Sequence, residues 1–297
     1  MNLLKTHLSA SFCYLPRIRI TNRYLVEKIL HKNIDSLNSN EKIIQSIEKF
    51  TGIVERRYSL EEEAASDLAA RAIFPLILHN AELKNEIGAL LVATTSGDFP
   101  SPATSNWVHS SLQLPVNVQC LDVASSCTSF LSALRASFGF LASNANTVVV
   151  ASEVKHKGLS KSDIRTLSLF ADGAGGVYLK NSPQPNSQFL FAHQEVHSEL
   201  AKNICIPVGG SRNNFSLENS HRIYLQLLEQ KKMFLFTVKM LVNAVLNLYD
   251  SFSQTFPGKV LNLIFIHQAN KNIVEAVKSK LPENIASDLE RTQWLNS

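Results

Sequence analysis

Cys127 stands in the run Ala-Ser-Ser-Cys-Thr-Ser. Before it lies a short apolar stretch with Val118, Cys120, Leu121 and Val123, and after it Phe130, Leu131, Leu134, Phe138 and Leu141 recur at helical spacing. The change of period predicts a buried strand that turns directly into a helix, with the cysteine at the turn. A sulfur there lies near the unpaired N–H groups of the first helical turn, whose partial positive charge favours thiolate over thiol. Acyl transfer from a thioester needs such a soft nucleophile. A second group of the right chemistry is His267, which ends the apolar run 261–266 and precedes Gln268, Ala269 and Asn270. The carboxyl ends of buried strands are where open α/β sheets collect functional side chains. Two plainer readings compete: a small cysteine in an apolar core, and a histidine that only makes structural hydrogen bonds.

Residues 169–179, LFADGAGGVYL, set Asp172, Gly173, Ala174, Gly175 and Gly176 between apolar runs. The cluster has neither the Lys-Ser/Thr of a phosphate loop nor GxGxxG spacing, so nucleotide binding is rejected. Small residues here would let backbone pass close to an active-site floor, with Asp172 hydrogen-bonding turn amides and Gly173 beside it. Asn270 is expected to brace the turn after His267.

These three stretches occur in one order, and TGIVERR lies upstream at 51–57. Together they resemble the 3-oxoacyl-ACP synthase III (ketoacyl synthase III) family of the thiolase superfamily, in register from about residue 15 to residue 281. The resemblance implies a thiolase-like α/β fold, a layered α/β/α/β/α sandwich of two similar halves. It implies an acyl group loaded on Cys127 and a decarboxylative Claisen condensation with malonyl-ACP. His267, with an asparagine from a later GN turn, would hydrogen-bond the malonyl thioester carbonyl and stabilise the enolate left by loss of CO₂. Acyl carrier protein is the implied partner, and acyl thioesters on the carrier or on coenzyme A are the substrates, with no further cofactor. The region 94–112 would lie at a dimer interface, with Phe99 sent towards the partner's acyl pocket.

Three departures qualify this. Ser46 and Phe50 stand where the family carries the Trp and Arg that hold the adenine end of coenzyme A, so a carrier-bound donor is expected. Asn272 replaces an arginine that meets the carrier, leaving Lys271 to serve. After HQAN no GN turn or Gly-rich loop follows. Asn296 falls at nearly the right distance from His267, but Leu295 precedes it where glycine is expected, and it is the one candidate for the missing donor. The C-terminus is expected to be truncated and the second half incomplete. Acyl transfer without condensation, and an inactive chain or partner subunit of an intact paralogue, therefore stay open beside the condensing reading.

The elements that must position these groups follow the chain. Residues 1–20 hold a first strand ended by Tyr14, Leu15 and Pro16, and Thr21 caps a helix through Leu30. A polar loop precedes a helix from Glu41. Ser59 opens a capping pattern for a long helix with Glu61, Glu62 and Glu63 near its positive end and Leu68, Ala72 and Ile73 inward. Residues 90–94 and 147–152 are buried strands. The polar, proline-containing stretch 181–187 is read as the boundary between an N-terminal half, 1–180, and a C-terminal half, 188–297, which restarts with a strand at 189–193. Residues 222–249 are mostly helix.

At 297 residues, 45% apolar and 18% charged, the sequence has the composition of a globular protein. A net charge of +4 with scattered Lys and Arg argues against a nucleic-acid groove. The helix around 234–248 carries Lys239 and two asparagines and reads as a core helix, so no membrane association is expected. Four cysteines (13, 120, 127 and 205) show no metal-ligand spacing, and no metal is expected. Their apolar or small-residue contexts suit a reducing, cytoplasmic setting.

Overall fold

The computed structural model describes residues 5–30, 37–182, 187–188, 192–261 and 264–290. The first described elements are β1 (Lys5–Tyr14), β2 (Ile18–Thr21), α1 (Asn22–Tyr24, continued by a π-helical turn to Ile29) and α2 (Leu37–Thr51). Then come β3 (Glu55–Tyr58), α3 (Ala65–His79), α4 (Leu83–Glu86), β4 (Ile87–Ala93), α5 (Thr104–Leu112) and β5 (Gln119–Val123). Next are α6 (Ser129–Ala142), β6 (Asn146–Val154), α7 (Ile164–Leu167), β7 (Asp172–Asn181) and β8 (Ser187–Gln188). The last are β9 (Ile204–Cys205), β10 (Gln226–Leu227), α8 (Gln230–Thr255), α9 (Lys271–Lys278) and α10 (Glu283–Glu290).

Two compact units share these elements. The first comprises Met1–Arg19, Arg57–Lys157 and Ala171–Ala192, and the second Ile20–Arg56, Gly158–Phe170 and His193–Ser297. This differs from a simple cut at the 181–187 stretch, because 20–56 and 158–170 group with the C-terminal residues. Buried Arg56 of the TGIVERR stretch accounts for part of the grouping. Its guanidinium donates to the carbonyls of Ile20 (3.3 Å) and Ser168 (3.3 Å) and to Asn22 Oδ1 (2.6 Å).

The first unit is a six-stranded mixed sheet in the order β5-β4-β6-β7-β1-β8. β4 pairs in parallel with both β5 and β6, whereas β7 is antiparallel to β6 and β1. The two-residue alternation of a strand sorts its side chains between layers. Leu90, Val92, Val148 and Val150 pack with Ile73 of α3 and Val108 of α5 on one face, and Ala89, Leu91, Ala93 and Val149 pack with Ala133 and Leu141 of α6 on the other. Within α6 the buried line is Ser129, Ala133, Ser137 and Leu141, the first three small residues that let the helix approach the sheet closely. The strand expected to be buried before the cysteine, β5, lies instead at the edge of the sheet, with Leu121 exposed. An edge strand has a neighbour on one side only.

The glycine cluster does not interrupt a strand; β7 starts at Asp172 and runs straight through it. Close approach is needed at Gly176, where a Cβ would come within 2.2 Å of the Val149 carbonyl oxygen and 2.8 Å of Val150 Cα. A Cβ on Gly173 would meet nothing nearer than 3.6 Å. Asp172 is buried and accepts hydrogen bonds from Ser59 N–H (2.8 Å), Ser59 Oγ (2.9 Å), His156 N–H (3.0 Å) and His156 Nδ1. The His156 ring stacks on Tyr58 at 4.5 Å. Because Ser59 is engaged by Asp172, it does not cap α3, which starts at Ala65. The Ala64 N–H is received by Asp67 (2.8 Å) and the Ser66 N–H by Asp98 (3.0 Å). Glu63, expected near the positive end of the helix, is buried; it accepts from Leu60 N–H (2.7 Å) and pairs with Arg71.

In the second unit Thr21 Oγ1 accepts the Tyr24 N–H at 3.2 Å, as a helix cap should. α2 ends at Thr51 and is followed by Gly52, whose φ of +73° suits glycine. Val238 and Val245 of α8 pack with Ile273 and Val277 of α9 and with Leu281 and Ile285. α8 is the one helix among the described residues long and apolar enough to cross a membrane. It is not the enclosed core helix expected: apart from Val238 and Val245 its residues are half-buried or exposed. The strand expected over 261–266 does not form among the described residues. Ile264 and Ile266 turn into the α8–α9 core while Phe265 points out. Residues 189–191 of the strand expected over 189–193 lie outside the described residues, and 192–193 are irregular.

Two outcomes follow for the first unit. Gly176→Ala is expected to lower stability by about 3 kcal/mol through backbone overlap, and Gly173→Ala by less than about 1 kcal/mol, as read from urea denaturation midpoints. Burial alone would raise the Asp172 carboxyl, but hydrogen bonds from His156 and Ser59 outweigh it and hold the group below the ordinary carboxylate range. The folded value then lies below the unfolded one, so this stabilisation is complete above about pH 4 and is lost as the pH falls through the folded value. The denaturation midpoint of Asp172→Asn should accordingly fall less between about pH 6 and about pH 3 than that of the unmodified chain.

Candidate active site

β5 ends at Val123, Ser126–Thr128 form one 3₁₀ turn, and α6 starts at Ser129, so Cys127 does stand where strand becomes helix. The side chain is exposed, unlike that of a core cysteine. The turn is made by Ser126, whose φ of +55° places a residue with a side chain in the left-handed region, at about 1–2 kcal/mol. Hydroxyl groups hold it there. Ser129, 4% exposed, accepts the Ser125 N–H at 2.8 Å and donates from the same Oγ to the Ser126 carbonyl at 2.7 Å. Thr128 Oγ1 donates to the Ser125 carbonyl at 2.8 Å.

Cys120, seven residues earlier, is a contrast within the same stretch. It is half-buried in β5, with its sulfur 3.8 Å from the Val118 carbonyl. Burial, and then the charge of Asp122, push its thiol up. A thiol so placed is a poor nucleophile at neutral pH.

Parallel pairing brings the carboxyl ends of β4, β5 and β6 to one edge of the sheet. The Thr94 N–H donates to the Val123 carbonyl (3.1 Å), joining the first two ends. Glu153 of β6 accepts from the Thr95 N–H (2.9 Å), Thr95 Oγ1 (2.9 Å) and Ser96 Oγ. Asp122 of β5 receives the N–H groups of Thr104 (2.6 Å) and Ser105 (2.8 Å), fixing the start of α5. Between these anchors Phe99 is exposed, its ring 5.5 Å from that of Trp107.

Cys127, Asp172, Gly173 and Phe99 belong to the first unit, and His267 and Asn270 to the second. His267 is exposed and precedes α9. Asn270 caps that helix, its Oδ1 accepting the Ile273 N–H at 3.0 Å. Asn272 Nδ2 donates to the Phe50 carbonyl at 3.1 Å, Ser46 Oγ to the Lys42 carbonyl at 2.8 Å, and the Phe50 ring is exposed. Asn296 lies outside the described residues. Asp172 is engaged by Ser59 and His156, so within its unit its role is to hold the start of β7. Sequence reasoning missed His156, Glu153 and the bracing by Ser129. A run of hydroxyl residues flanking the cysteine was the available signal for the last of these; nothing in spacing pairs His156 with Asp172.

A family profile for 3-oxoacyl-[acyl-carrier-protein (ACP)] synthase III matches residues 121–198, from β5 through the cysteine turn and the glycine cluster. The chain is similar to a beta-ketoacyl-[acyl-carrier-protein] synthase III of Aliarcobacter butzleri, 32% identical over 249 residues, covering 81% of this chain and 74% of that one. It is also similar to the protein of that name from Caldanaerobacter subterraneus, 30% identical over 272 residues, covering 88% and 78%. Among solved structures, a 3-oxoacyl-(acyl-carrier protein) synthase from Burkholderia xenovorans superposes with a TM-score of 0.78 at 19% identity, covering 97% of this chain and 80% of that one. With the α/β fold shared along nearly the whole chain and identity above 30% to a relative of which most is covered, the chain belongs to the beta-ketoacyl-[acyl-carrier-protein] synthase III family.

Proposed function

We propose that the chain is an acyltransferase of the decarboxylative condensing type, acting in fatty acid or polyketide-type biosynthesis. The observation that carries this is the exposed Cys127 on a braced strand-to-helix turn, in a chain of this family. In the first step the Cys127 thiolate attacks the carbonyl of an acyl thioester, and the carrier thiol departs with a proton. In the second, malonyl-ACP loses CO₂, and the resulting enolate carbon attacks the acyl-enzyme carbonyl. The C–S bond to Cys127 breaks and a 3-oxoacyl-ACP leaves. His267 is the hydrogen-bond donor to the malonyl thioester carbonyl, a reading supported by its place before the α9 cap within HQAN.

Acyl carrier protein is the partner and the preferred acyl donor. Ser46 and Phe50 offer coenzyme A no positive charge for its phosphates, and Ser46 is engaged by its own helix. A homodimer is favoured by β5, an edge strand beside exposed Leu121 and Leu131, which a second copy would cover. None of the four cysteines is disulfide-bonded, which suits the cytoplasm.

Incubation with an acyl-ACP should add one acyl mass to the peptide containing Cys127, faster than the matching acyl-CoA does, and Cys127→Ala should abolish it. Label on Cys13, Cys120 or Cys205 in its place would remove the assignment. His267→Ala should leave acylation of Cys127 intact and slow CO₂ release from malonyl-ACP by roughly a hundred- to a thousand-fold, the usual consequence of losing one oxyanion donor. Equal decarboxylation by the variant and the unmodified chain would exclude His267 from that role.

A further inference from the structure

Ser126 has a left-handed backbone. It is the residue directly before Cys127, and it has a Cβ that disfavours this conformation. Among the described residues the other non-glycines with positive φ, Gln113, Asn144 and Glu229, lie away from this turn. One buried hydroxyl binds the backbone on both sides of Ser126. Ser129 Oγ takes the N–H before Ser126 (from Ser125, 2.8 Å) and gives its proton to the carbonyl of Ser126 itself (2.7 Å). The Ser129 backbone N–H also points to that carbonyl. The carbonyl of the peptide that joins Ser126 to Cys127 is therefore held by Ser129, the first residue of α6.

We propose that Ser129 is a positioning residue for the nucleophile, holding the Ser126–Cys127 peptide so that the sulfur stays at the head of α6. This rests on the reading that Cys127 is the acylated group. The chemistry follows from the helix end: a thiolate is stabilised there within about one turn of the unpaired N–H groups, and the effect fades quickly with distance. With the Ser129 hydroxyl absent, Ser126 is released to rotate out of the left-handed region, the sulfur moves off the helix head, and its thiolate form becomes less favourable. The Ser125 N–H also loses its acceptor, which further loosens the turn.

The experiment is the pH dependence of alkylation by iodoacetamide, following the Cys127 peptide by mass spectrometry with exposed Cys13 of the same chain as internal reference. In the unmodified chain Cys127 should react faster than Cys13 near neutral pH. Ser129→Ala should slow Cys127 roughly five- to tenfold at about pH 7, while the Cys127 rates of the variant and the unmodified chain converge above about pH 9.5, where this thiol is ionised in both. A role in folding or access alone would lower the rate equally at every pH. Ser129→Thr, which keeps the hydroxyl, should follow the unmodified profile. Ser126→Gly removes the steric reason for the brace, so Ser129→Ala in that background should cost about twofold or less.

The inference is overturned by a Ser129→Ala profile that superposes on the unmodified one, by a loss uniform across pH, or by a full-sized loss in the Ser126→Gly background. If Cys127 is no more reactive than Cys13 in the unmodified chain, the nucleophile assignment falls and this inference with it. A reactive Cys127 that is indifferent to Ser129→Ala leaves the assignment standing and removes only the brace.

Discussion

The parallel hydrogen bonding of β4 with β5 and β6 is the constraint on which the first unit depends. Parallel strands must all run the same way, so their carboxyl ends emerge at one edge, and everything that follows them is delivered there. The loop after β4, the cysteine turn after β5 and the segment around His156 after β6 are neighbours for this reason. The sheet also explains why that edge is rich in bonded carboxylates. Glu153, Asp122 and Asp172 each accept backbone N–H groups of chain that has just left, or is about to join, a strand or helix, groups that would otherwise lack a partner.

Within this frame, two cysteines of one short stretch acquire opposite chemistry. Cys120 belongs to β5, where burial and a nearby carboxylate keep it a thiol; Cys127 lies just past the strand, exposed, on backbone that hydroxyl groups hold in an unfavourable conformation. A strained, over-determined residue next to a reactive one is what a preorganised site looks like: the strain is sustained by the surrounding bonds. Membership of the beta-ketoacyl-[acyl-carrier-protein] synthase III family gives that geometry its chemical context.

Much of this was legible before any coordinates. The β-branched and leucine-rich runs became β4 and β6, the change of period became the β5–α6 turn, and Thr21 and Asn270 cap the helices that they were expected to cap or brace. What could not be read are the places where a local signal is claimed by a distant partner. Ser59 followed by glutamates is a sound helix start by composition, but its N–H and hydroxyl go to Asp172, more than a hundred residues onward. The glycine cluster looked like a break in a strand because glycine weakens strands; it is strand, since Gly176 must pass against Val149 and Val150 of β6. Residues 261–266 are an apolar run of strand length, but an apolar run does not by itself supply the ladder that a strand needs. Arg56 ties 20–56 to 158–170 by reaching the Ser168 carbonyl, and Asn272 ties it to the C-terminal residues through the Phe50 carbonyl; no periodicity announces either.

The register of β1 sets an order of events in synthesis. Thr6 pairs with Asn181 and Lys5 with Gln188, so the first strand of the chain is a template without a partner until residues near the middle have been made. At ordinary translation rates that interval is roughly ten to thirty seconds. The parallel core of β4, β5 and β6 with α3, α5 and α6 draws on residues 65–154 and can collapse earlier, because its contacts are closer in sequence. β1 is therefore the last long strand to join the sheet, sealing the outer side of β7 after the nucleophile turn has already formed. During that wait its open edge, and the facing edge of β7 once made, are the surfaces that a nascent chain must keep from pairing with its neighbours on the same message.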